Sequence, residues 1–235
     1  MTQLYVMDLS YNKLYGKVPA AFISQLSNLN ELFLNDNQLT GFTTPPSLGS
    51  NNSKIEILYL SNNNFTGTVP SFICALREFY ASNNSFDDLL PITLQNCTSL
   101  EAINLGINNI KADISRIFVK LPNLYYVDFS HNHFYGRLSN NIAELKSLST
   151  LYFEGNNISG ELPQGFLSMT QLQMINFDNN HLTGAISSDL THLTSLVILI
   201  LSNNNFSSLS NLIGTLITML TIIYFNNKIL NYYFK

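Results

Sequence analysis

Residues 148–171, LSTLYFEGNNISGELPQGFLSMTQ, contain the pattern that decides the fold. Leucine or another large apolar residue occupies positions one, four, six and eleven of this segment, and Asn156 occupies position nine. The same L-x-x-L-x-L-x-x-N-x-L pattern starts at nine places, and the last five intervals between starts are all 24 residues. The starts, numbered here as repeats 1 to 9, are Leu4, Leu29, Ile55, Leu76, Leu100, Leu124, Leu148, Leu172 and Leu196. Self-similarity at such a period is typical of a solenoid.

Alternating apolar residues at positions four and six of each repeat predict one short strand per coil, with both side chains on the same side. A single coil cannot bury this face, whereas stacked coils form a continuous core beneath a parallel sheet. A degenerate tenth repeat starts at Leu220, with Lys228 in place of the Asn. The sequence therefore predicts one domain over residues 1–235, built of about ten repeats of ~24 residues.

The Asn at position nine ends each strand, and its side-chain amide can bond backbone groups that the turn leaves unpaired. Stacked coils would align these side chains into a ladder with a structural role. The ladder is expected at Asn12, Asn37, Asn63, Asn84, Asn108, Asn132, Asn156, Asn180 and Asn204.

The second half of the repeat defines the subclass. A Gly-x-[IVL]-Pro segment follows the Asn at Gly16–Pro19, Gly67–Pro70 and Gly160–Pro163. With stretches such as LYLSNNNFTGTVPSF (58–72), this segment resembles the plant-type leucine-rich repeats of receptor-like kinases and receptor-like proteins. The resemblance implies an α/β fold, a right-handed horseshoe or superhelix. It places a parallel sheet on the concave face, and 3₁₀ turns, loops and short second strands on the convex face.

Several features of such receptors are not found in the sequence. The helical caps, a signal peptide, a convincing transmembrane span and the kinase motifs are missing, so we expect a receptor fragment or a truncated product. The apolar stretch 212–225 is interpreted as the last repeat, because its 14 residues fall short of the ~20 that cross a bilayer. We expect local irregularity at residues 86–93 and 109–120, and a polar, Pro-rich convex loop at residues 43–53.

Two cysteines, Cys74 and Cys97, lie about one repeat apart. A disulfide between adjacent coils is conceivable, but spacing alone cannot establish connectivity. Both sites suit a small buried side chain, and we therefore favour two unbridged cysteines.

Composition excludes several classes of function. The net charge is −4, and the 11 basic residues are scattered, which argues against nucleic-acid binding. No Cys/His cluster predicts a metal site, and no cofactor is expected. His131 and His133 lie near Ser130 and Asp128, but these positions belong to the repeat template, so the chain is not expected to be an enzyme.

Strand positions that alternate with the core are expected to line the concave face. Exposed aromatics beside carboxylates suit a binding surface, because Tyr combines a large contact area with a polar tip. One patch is expected at Phe33, Tyr59 and Tyr80, and a second at Tyr126, Asp128, Tyr152 and Glu154. Glu31, Glu78 and Asp178 flank them, and these carboxylates favour a basic ligand segment.

The resemblance implies a ligand-sensing ectodomain segment at the extracellular face of the plasma membrane. Its partners would be a secreted peptide or protein ligand and a co-receptor ectodomain, with membrane attachment only through a parent receptor. A secreted or intracellular interaction protein, or a non-functional receptor fragment, remains the alternative. Sequons for N-glycosylation occur at Asn51, Asn64, Asn83, Asn96, Asn157 and Asn205, about as many as chance predicts in an Asn-rich chain.

Overall fold

Ten three-residue strands form a single parallel sheet, one strand from each repeat, in a computed structural model that describes residues 3–44, 54–118, 121–209 and 222–224. Strands that are adjacent in the sheet belong to consecutive repeats. The strands are Val6–Asp8, Glu31–Phe33, Ile57–Tyr59, Glu78–Tyr80, Ala102–Asn104, Tyr126–Asp128, Thr150–Tyr152, Met174–Asn176, Ile198–Ile200 and Ile222–Tyr224. The predicted leucine-rich-repeat solenoid is confirmed.

Strand pairing follows the repeat position for position. Leu58 of the 21-residue repeat 3 pairs with Phe79 of repeat 4, and Phe79 pairs with Ile103 of repeat 5, so the shorter repeat does not shift the register. Differences in repeat length are therefore absorbed away from the sheet. Equivalent positions form straight columns, because every side chain at one repeat position lies beside its equivalent in the next coil.

The core is a continuous stack of mainly leucine, isoleucine and phenylalanine side chains that runs from repeat 1 to repeat 9. Its centre is a column of phenylalanine rings. Phe153 lies 5.6 Å from Phe177, with nearly parallel planes, and Phe129 lies 4.8 Å from Phe134. Each buried ring of this size contributes roughly 1.5–3 kcal/mol by leaving water, and most of its contacts lie within its own coil or an adjacent one.

The side opposite the sheet consists of short second strands and 3₁₀ helices, as predicted. Second strands pair in parallel groups: Tyr15–Val18 with Gln38–Phe42, Thr66–Gly67 with Ser85–Phe86, Tyr135–Arg137 with Asn157–Gly160 and His181–Leu182, and Ala185–Ile186 with Ser208–Leu209. Repeat 1 has a short α-helix, Ala20–Gln25. The 3₁₀ helices are Ser71–Ala75, Ile92–Asn96, Ile114–Arg116, Asn140–Glu144, Gln164–Ser168 and Ser188–His192.

Repeats 4 and 5 interrupt this pattern, in the two segments where irregularity was expected. Residues 87–91 belong to neither strand nor helix. In repeat 5 the second strand is reduced to a single bridge between Asp113 and Tyr135, and the 3₁₀ helix Ile114–Arg116 has three residues instead of five. Both segments lack the Gly-x-x-Pro sequence.

Cys74 and Cys97 form a disulfide, so the preference for two unbridged cysteines was wrong. Cys74 lies in the 3₁₀ helix Ser71–Ala75, and Cys97 directly follows Ile92–Asn96. These helices stack in adjacent coils and bring the two Cα atoms to 4.3 Å. The bridge therefore joins repeats 3 and 4 across their boundary. The sequence separation of 23 residues did not reveal that the two side chains point toward each other.

Some expectations fall outside the described residues. Apart from Thr43 and Thr44, the Pro-rich loop with Asn51 is not among the described residues. The same holds for Leu220 and Lys228. Of the apolar stretch 212–225, only the strand Ile222–Tyr224 is described, and it pairs with Ile198–Ile200 in the repeat register. Within the described part of the chain, no helix has the length and apolar character needed to cross a bilayer.

Candidate functional site

The asparagine column at position nine joins each coil to the one before it. In Asn132, Nδ2 donates to the carbonyl oxygens of Phe129 and Ser130 in its own coil and to that of Leu105 in the preceding coil. Its Oδ1 accepts the amide of Ile110 at 2.9 Å. The same cross-coil pair of bonds recurs from Asn37 to Asn204.

The residue before each ladder Asn turns the chain sharply at the end of the strand. It has a positive φ in every described repeat, including the β-branched Ile107 at 55° and the glycine Gly155 at 67°. Such a conformation is uncommon for residues other than glycine. The ladder bonds on either side hold it in place.

The side chains that face away from the core stand at positions three, five and seven of each repeat, and together we call them the sheet face. Position five forms its central column, with Asp8, Phe33, Tyr59, Tyr80, Asn104, Asp128, Tyr152, Asn176, Ile200 and Tyr224. All ten predicted ligand-binding residues lie on the sheet face, and all are half-buried. The geometry brings the two expected patches together.

Five aromatic rings form one row along the sheet face: Phe33, Tyr59, Tyr80, Tyr126 and Tyr152. Tyr59 stacks on Tyr80 with ring centroids 4.4 Å apart, and Phe33 lies 4.9 Å from Tyr59. These five residues are called the aromatic row below.

The aromatic row passes over repeat 5, whose own strand has no aromatic residue. Tyr80 and Tyr126 approach to 6.3 Å across this strand. Ala102 occupies an outward position there, yet it is fully buried. A small side chain in repeat 5 thus allows rings from repeats 4 and 6 to meet, and the two patches become continuous.

The tyrosine hydroxyls in this row are held in their neutral form. Burial, followed by the charge of Glu78, raises the pKa of Tyr80 far above its usual range. Burial, followed by the charge of Asp128, does the same to the pKa of Tyr126. Both hydroxyls therefore stay protonated at pH values where an exposed tyrosine already ionises.

Tyr125 is a member of the site that the sequence pattern missed. Its side chain lies close enough to Tyr80 to contribute to the raised pKa of that residue, and it is 40% exposed. It stands at position two of its repeat, just outside the outward positions, so the alternation of the strand assigns it to the flank. Met174 was also missed, and its sulfur lies 3.4 Å from the Tyr152 hydroxyl.

The carboxylates of the sheet face differ in their hydrogen-bond partners. Asp128 accepts the Ser130 hydroxyl at 2.6 Å and the Ser130 amide at 3.0 Å, which ties down the end of its own strand. Asp178 accepts the side-chain amide of Asn203 at 2.9 Å. Each of these two aspartates therefore has a structural role through one oxygen.

Glu154 is the exception, because its Oε2 is buried and has no hydrogen-bond partner. Burial is the main cause that raises its pKa. A backbone hydrogen bond and His131 act in the opposite direction, while Asp128 and Asp178 add to the rise. The glutamate thus holds a carboxylate whose ionised form is poorly compensated by the rest of the chain.

The charge on the sheet face has a single sign. Six carboxylates stand at its outward positions: Asp8, Glu31, Glu78, Asp128, Glu154 and Asp178. No described lysine or arginine stands there, since all lie on the flanks or the opposite side: Lys13, Lys17, Lys54, Arg77, Lys111, Arg116, Arg137 and Lys146. Arg77, at the flank, is paired with Glu101 at 2.8 Å. The face therefore carries a uniformly negative potential.

The residues around Ser130 do not have the arrangement of a nucleophile and its base. The Ser130 hydroxyl donates to Asp128 rather than to a histidine, and Ser130 itself is buried. The His131 ring packs beside Gly155, where an added Cβ would lie 2.7 Å from Nδ1. Among the described residues, no group of three or more His, Cys, Asp or Glu is placed to hold a metal ion.

The sequons within the described residues are all exposed at their asparagines. Asn64, Asn157 and Asn205 stand at the same repeat position, directly after a ladder Asn. Glycans on these three would therefore project from one flank of the solenoid and leave the sheet face open. Asn83 and Asn96 occupy other positions, and Asn96 adjoins the disulfide at Cys97.

The Leucine Rich Repeat family matches the chain at residues 54–76, 75–97, 147–169 and 171–193. Receptor-like protein 35 of Arabidopsis thaliana is 34% identical over 149 residues, which are 60% of this chain and 15% of that protein. The chain thus spans a small part of the curated relatives it matches.

Two solved plant structures share its architecture. The plant peptide hormone receptor RGFR1 in complex with RGF2 superimposes with a TM-score of 0.80 at 30% identity, over 88% of this chain and 33% of the receptor. The Arabidopsis receptor kinase HAESA, in complex with the peptide hormone IDA and the co-receptor SERK1, gives a TM-score of 0.72 at 27% identity. The superposition covers 94% of this chain and 42% of the HAESA chain. The chain is a leucine-rich-repeat solenoid that is similar in sequence and in architecture to parts of plant receptor ectodomains.

Proposed function

We propose that the chain is a non-catalytic module that binds a peptide or protein ligand across its sheet face, the concave side of the solenoid. The observation that carries this proposal is the aromatic row, five half-buried rings aligned on the sheet face and flanked by carboxylates. Rings that are exposed along one face give large contact area at low cost in side-chain entropy, which is what binding surfaces use.

The similar receptors support a peptide as the ligand and a second ectodomain as a further partner. RGFR1 is bound to RGF2, and HAESA is bound to a peptide hormone and a co-receptor. Since this chain corresponds to a small part of such proteins, a co-receptor contact and a signalling output belong to a longer receptor.

An extracellular location is supported by the disulfide between Cys74 and Cys97, because such bonds persist in oxidising compartments. The exposed sequon asparagines fit the same location. An intracellular interaction protein would have little use for either feature. Attachment to the plasma membrane is proposed through the parent receptor.

The test is selection of binding peptides on the full chain. Random 12-residue peptides displayed on phage would be selected against the wild type, against a Tyr59→Ala/Tyr80→Ala variant and against Ile92→Ala as control. Ile92 is 80% exposed on the opposite side of the solenoid. We expect the wild type and the control to enrich the same peptides and the double variant to lose them. Peptides retained by the double variant would refute binding at the sheet face.

A further inference from the structure

The proposal concerns the chemistry of the ligand, and it rests on the proposed function. We propose that the ligand is a cationic peptide segment in extended conformation. One lysine or arginine of the segment pairs with Glu154, and an aromatic or aliphatic side chain packs on Phe33, Tyr59 and Tyr80.

Charge complementarity selects a basic partner. Six of the 15 acidic residues of the chain stand on the sheet face, and no described basic residue stands there with them. A ligand with negative charge would meet uncompensated repulsion along the whole face, whereas a basic segment would be attracted at every carboxylate. An uncharged ligand would leave these carboxylates without partners at its edges.

Glu154 is the position where the charge of the ligand matters most. Asp128 and Asp178 each have a partner within the chain, while Glu154 Oε2 is buried without one. Oε2 is covered in the unbound chain, so a rotation of the Glu154 side chain would bring it to a guanidinium or ammonium group of the ligand, which supplies the missing donor. A charge-assisted bond in a half-buried site is stronger than a neutral one. Tyr152 stands two residues before Glu154 in the same coil, so its ring can flank the cation.

The apolar contact lies at the other end of the row. Phe33, Tyr59 and Tyr80 are the most closely stacked members, with centroids 4.9 and 4.4 Å apart. Their rings form one continuous aromatic surface against which one large side chain can pack. Glu31 and Glu78 border this surface and would accept further basic groups or backbone amides of the ligand.

The spacing of the two contacts predicts a spacing in the ligand. The strands of Tyr59 and Tyr152 are separated by four strand intervals, which correspond to about 19 Å. An extended peptide advances roughly 3.3 Å per residue, so the aromatic or aliphatic residue and the basic residue should be about six positions apart.

The test uses the 12-residue peptides that are selected on the wild-type chain. We expect them to carry a lysine or arginine about six residues from an aromatic or aliphatic residue. The most enriched peptide, synthesised with neutral ends and a fluorescent label, would be titrated against wild type, Glu154→Gln and Glu144→Gln by fluorescence anisotropy. Glu144 is an exposed residue of the 3₁₀ helix Asn140–Glu144, so its variant changes net charge by the same amount away from the sheet face.

Glu154→Gln should weaken binding by about tenfold or more, since a half-buried charge pair is lost, and Glu144→Gln should change it less than about twofold. Selected peptides that depend on Tyr59 and Tyr80 but lack basic residues would overturn the ligand chemistry and leave the proposed function standing. Equal weakening of peptide binding by Glu154→Gln and Glu144→Gln would also overturn the ligand chemistry and leave the proposed function standing. A selection in which no peptide depends on the sheet face would overturn both.

Discussion

Asn132 donates from Nδ2 to the carbonyl oxygen of Leu105 in the preceding coil at 2.8 Å, and its Oδ1 accepts the amide of Ile110 in that same coil at 2.9 Å. One side chain therefore satisfies a donor and an acceptor that the turn of the preceding coil leaves without backbone partners. Two more bonds, to Phe129 and Ser130, hold the amide within its own coil. Asn132 is 4% exposed, so water cannot replace it.

Asn132→Ala should lower the free energy of unfolding by about 3 kcal/mol, because it leaves the buried amide of Ile110 unpaired and removes the hydrogen bonds from Nδ2 to three carbonyl oxygens. Asn12→Ala is the matched control. Asn12 is exposed, and its Nδ2 donates to Leu9 and Ser10 within its own coil. Urea denaturation followed by circular dichroism would compare the two. Similar losses for both variants would show that the bonds between coils add little stability.

The disulfide offers a second test of how the coils are joined. Replacing both Cys74 and Cys97 with Ser should cost about 3 kcal/mol, because the bridge closes a loop of 23 residues in the unfolded chain. Reduction of the wild type with dithiothreitol should lower the urea midpoint to that of the double variant. The same reagent should leave the double variant unchanged. A wild-type midpoint that does not respond to complete reduction, verified by mass spectrometry, would contradict the prediction.

The repeat period was sufficient to predict the strands, the parallel sheet and the asparagine column, because each depends only on position within the repeat. Even the outward positions followed from alternation, and so Tyr59 and Glu154 could be assigned to the sheet face. The contacts among the side chains of the sheet face could not be predicted from the repeat. Contacts between coils depend on side-chain rotamers and on the size of neighbours.

Ala102 illustrates this limit. Its small size allows Tyr80 and Tyr126 to meet across repeat 5, yet it stands at position three, where the repeat pattern specifies no residue type. The disulfide escaped prediction for a related reason, since Cys74 and Cys97 belong to the irregular side of the coil, where repeat lengths differ. Structure on that side depends on how each turn accommodates its own length.

The tyrosines of the aromatic row should titrate late. Burial raises the pKa values of Tyr80 and Tyr126, so their ionisation should extend above the usual range near pH ~10. A spectrophotometric titration near 295 nm should show this upper portion, and Tyr80→Phe/Tyr126→Phe should remove much of it. A wild-type curve that already ends near the ordinary tyrosine range would contradict the burial of these hydroxyls.

The raised pKa values of Tyr80 and Tyr126 also affect the stability of the chain at alkaline pH. A phenol with a raised pKa in the folded state ionises more readily when unfolded, so stability is lost as pH rises above the unfolded value of ~10. Tyr80→Phe/Tyr126→Phe should therefore lose less stability than wild type between neutral pH and pH 11. Urea midpoints at both pH values measure the difference. An equal loss in the two proteins would show that other groups cause the alkaline unfolding.

At neutral pH, the wild-type chain with Glu154 should be less stable than a variant with an uncharged side chain at this position. The folded chain raises the pKa of Glu154, chiefly by burial, so the folded state retains its proton at pH values where the unfolded chain has lost it. Stability is therefore lost as pH rises through the unfolded pKa of ~4.3 and beyond. Glu154→Gln should be more stable than wild type at pH 7, and this gain should shrink as pH falls toward 4.

Thermal unfolding of Glu154→Gln, Glu144→Gln and wild type at pH 7 and at pH 4 measures the gain, with Glu144→Gln supplying the effect of net charge alone. A carboxylate that costs stability and holds one buried oxygen without a hydrogen-bond partner is the kind of residue that function retains. Glu154→Gln should thus raise the melting temperature at pH 7 and weaken peptide binding in the same preparation. A lower melting temperature at pH 7 would instead make Glu154 a structural residue, and its loss of peptide binding would then follow from damage to the coil.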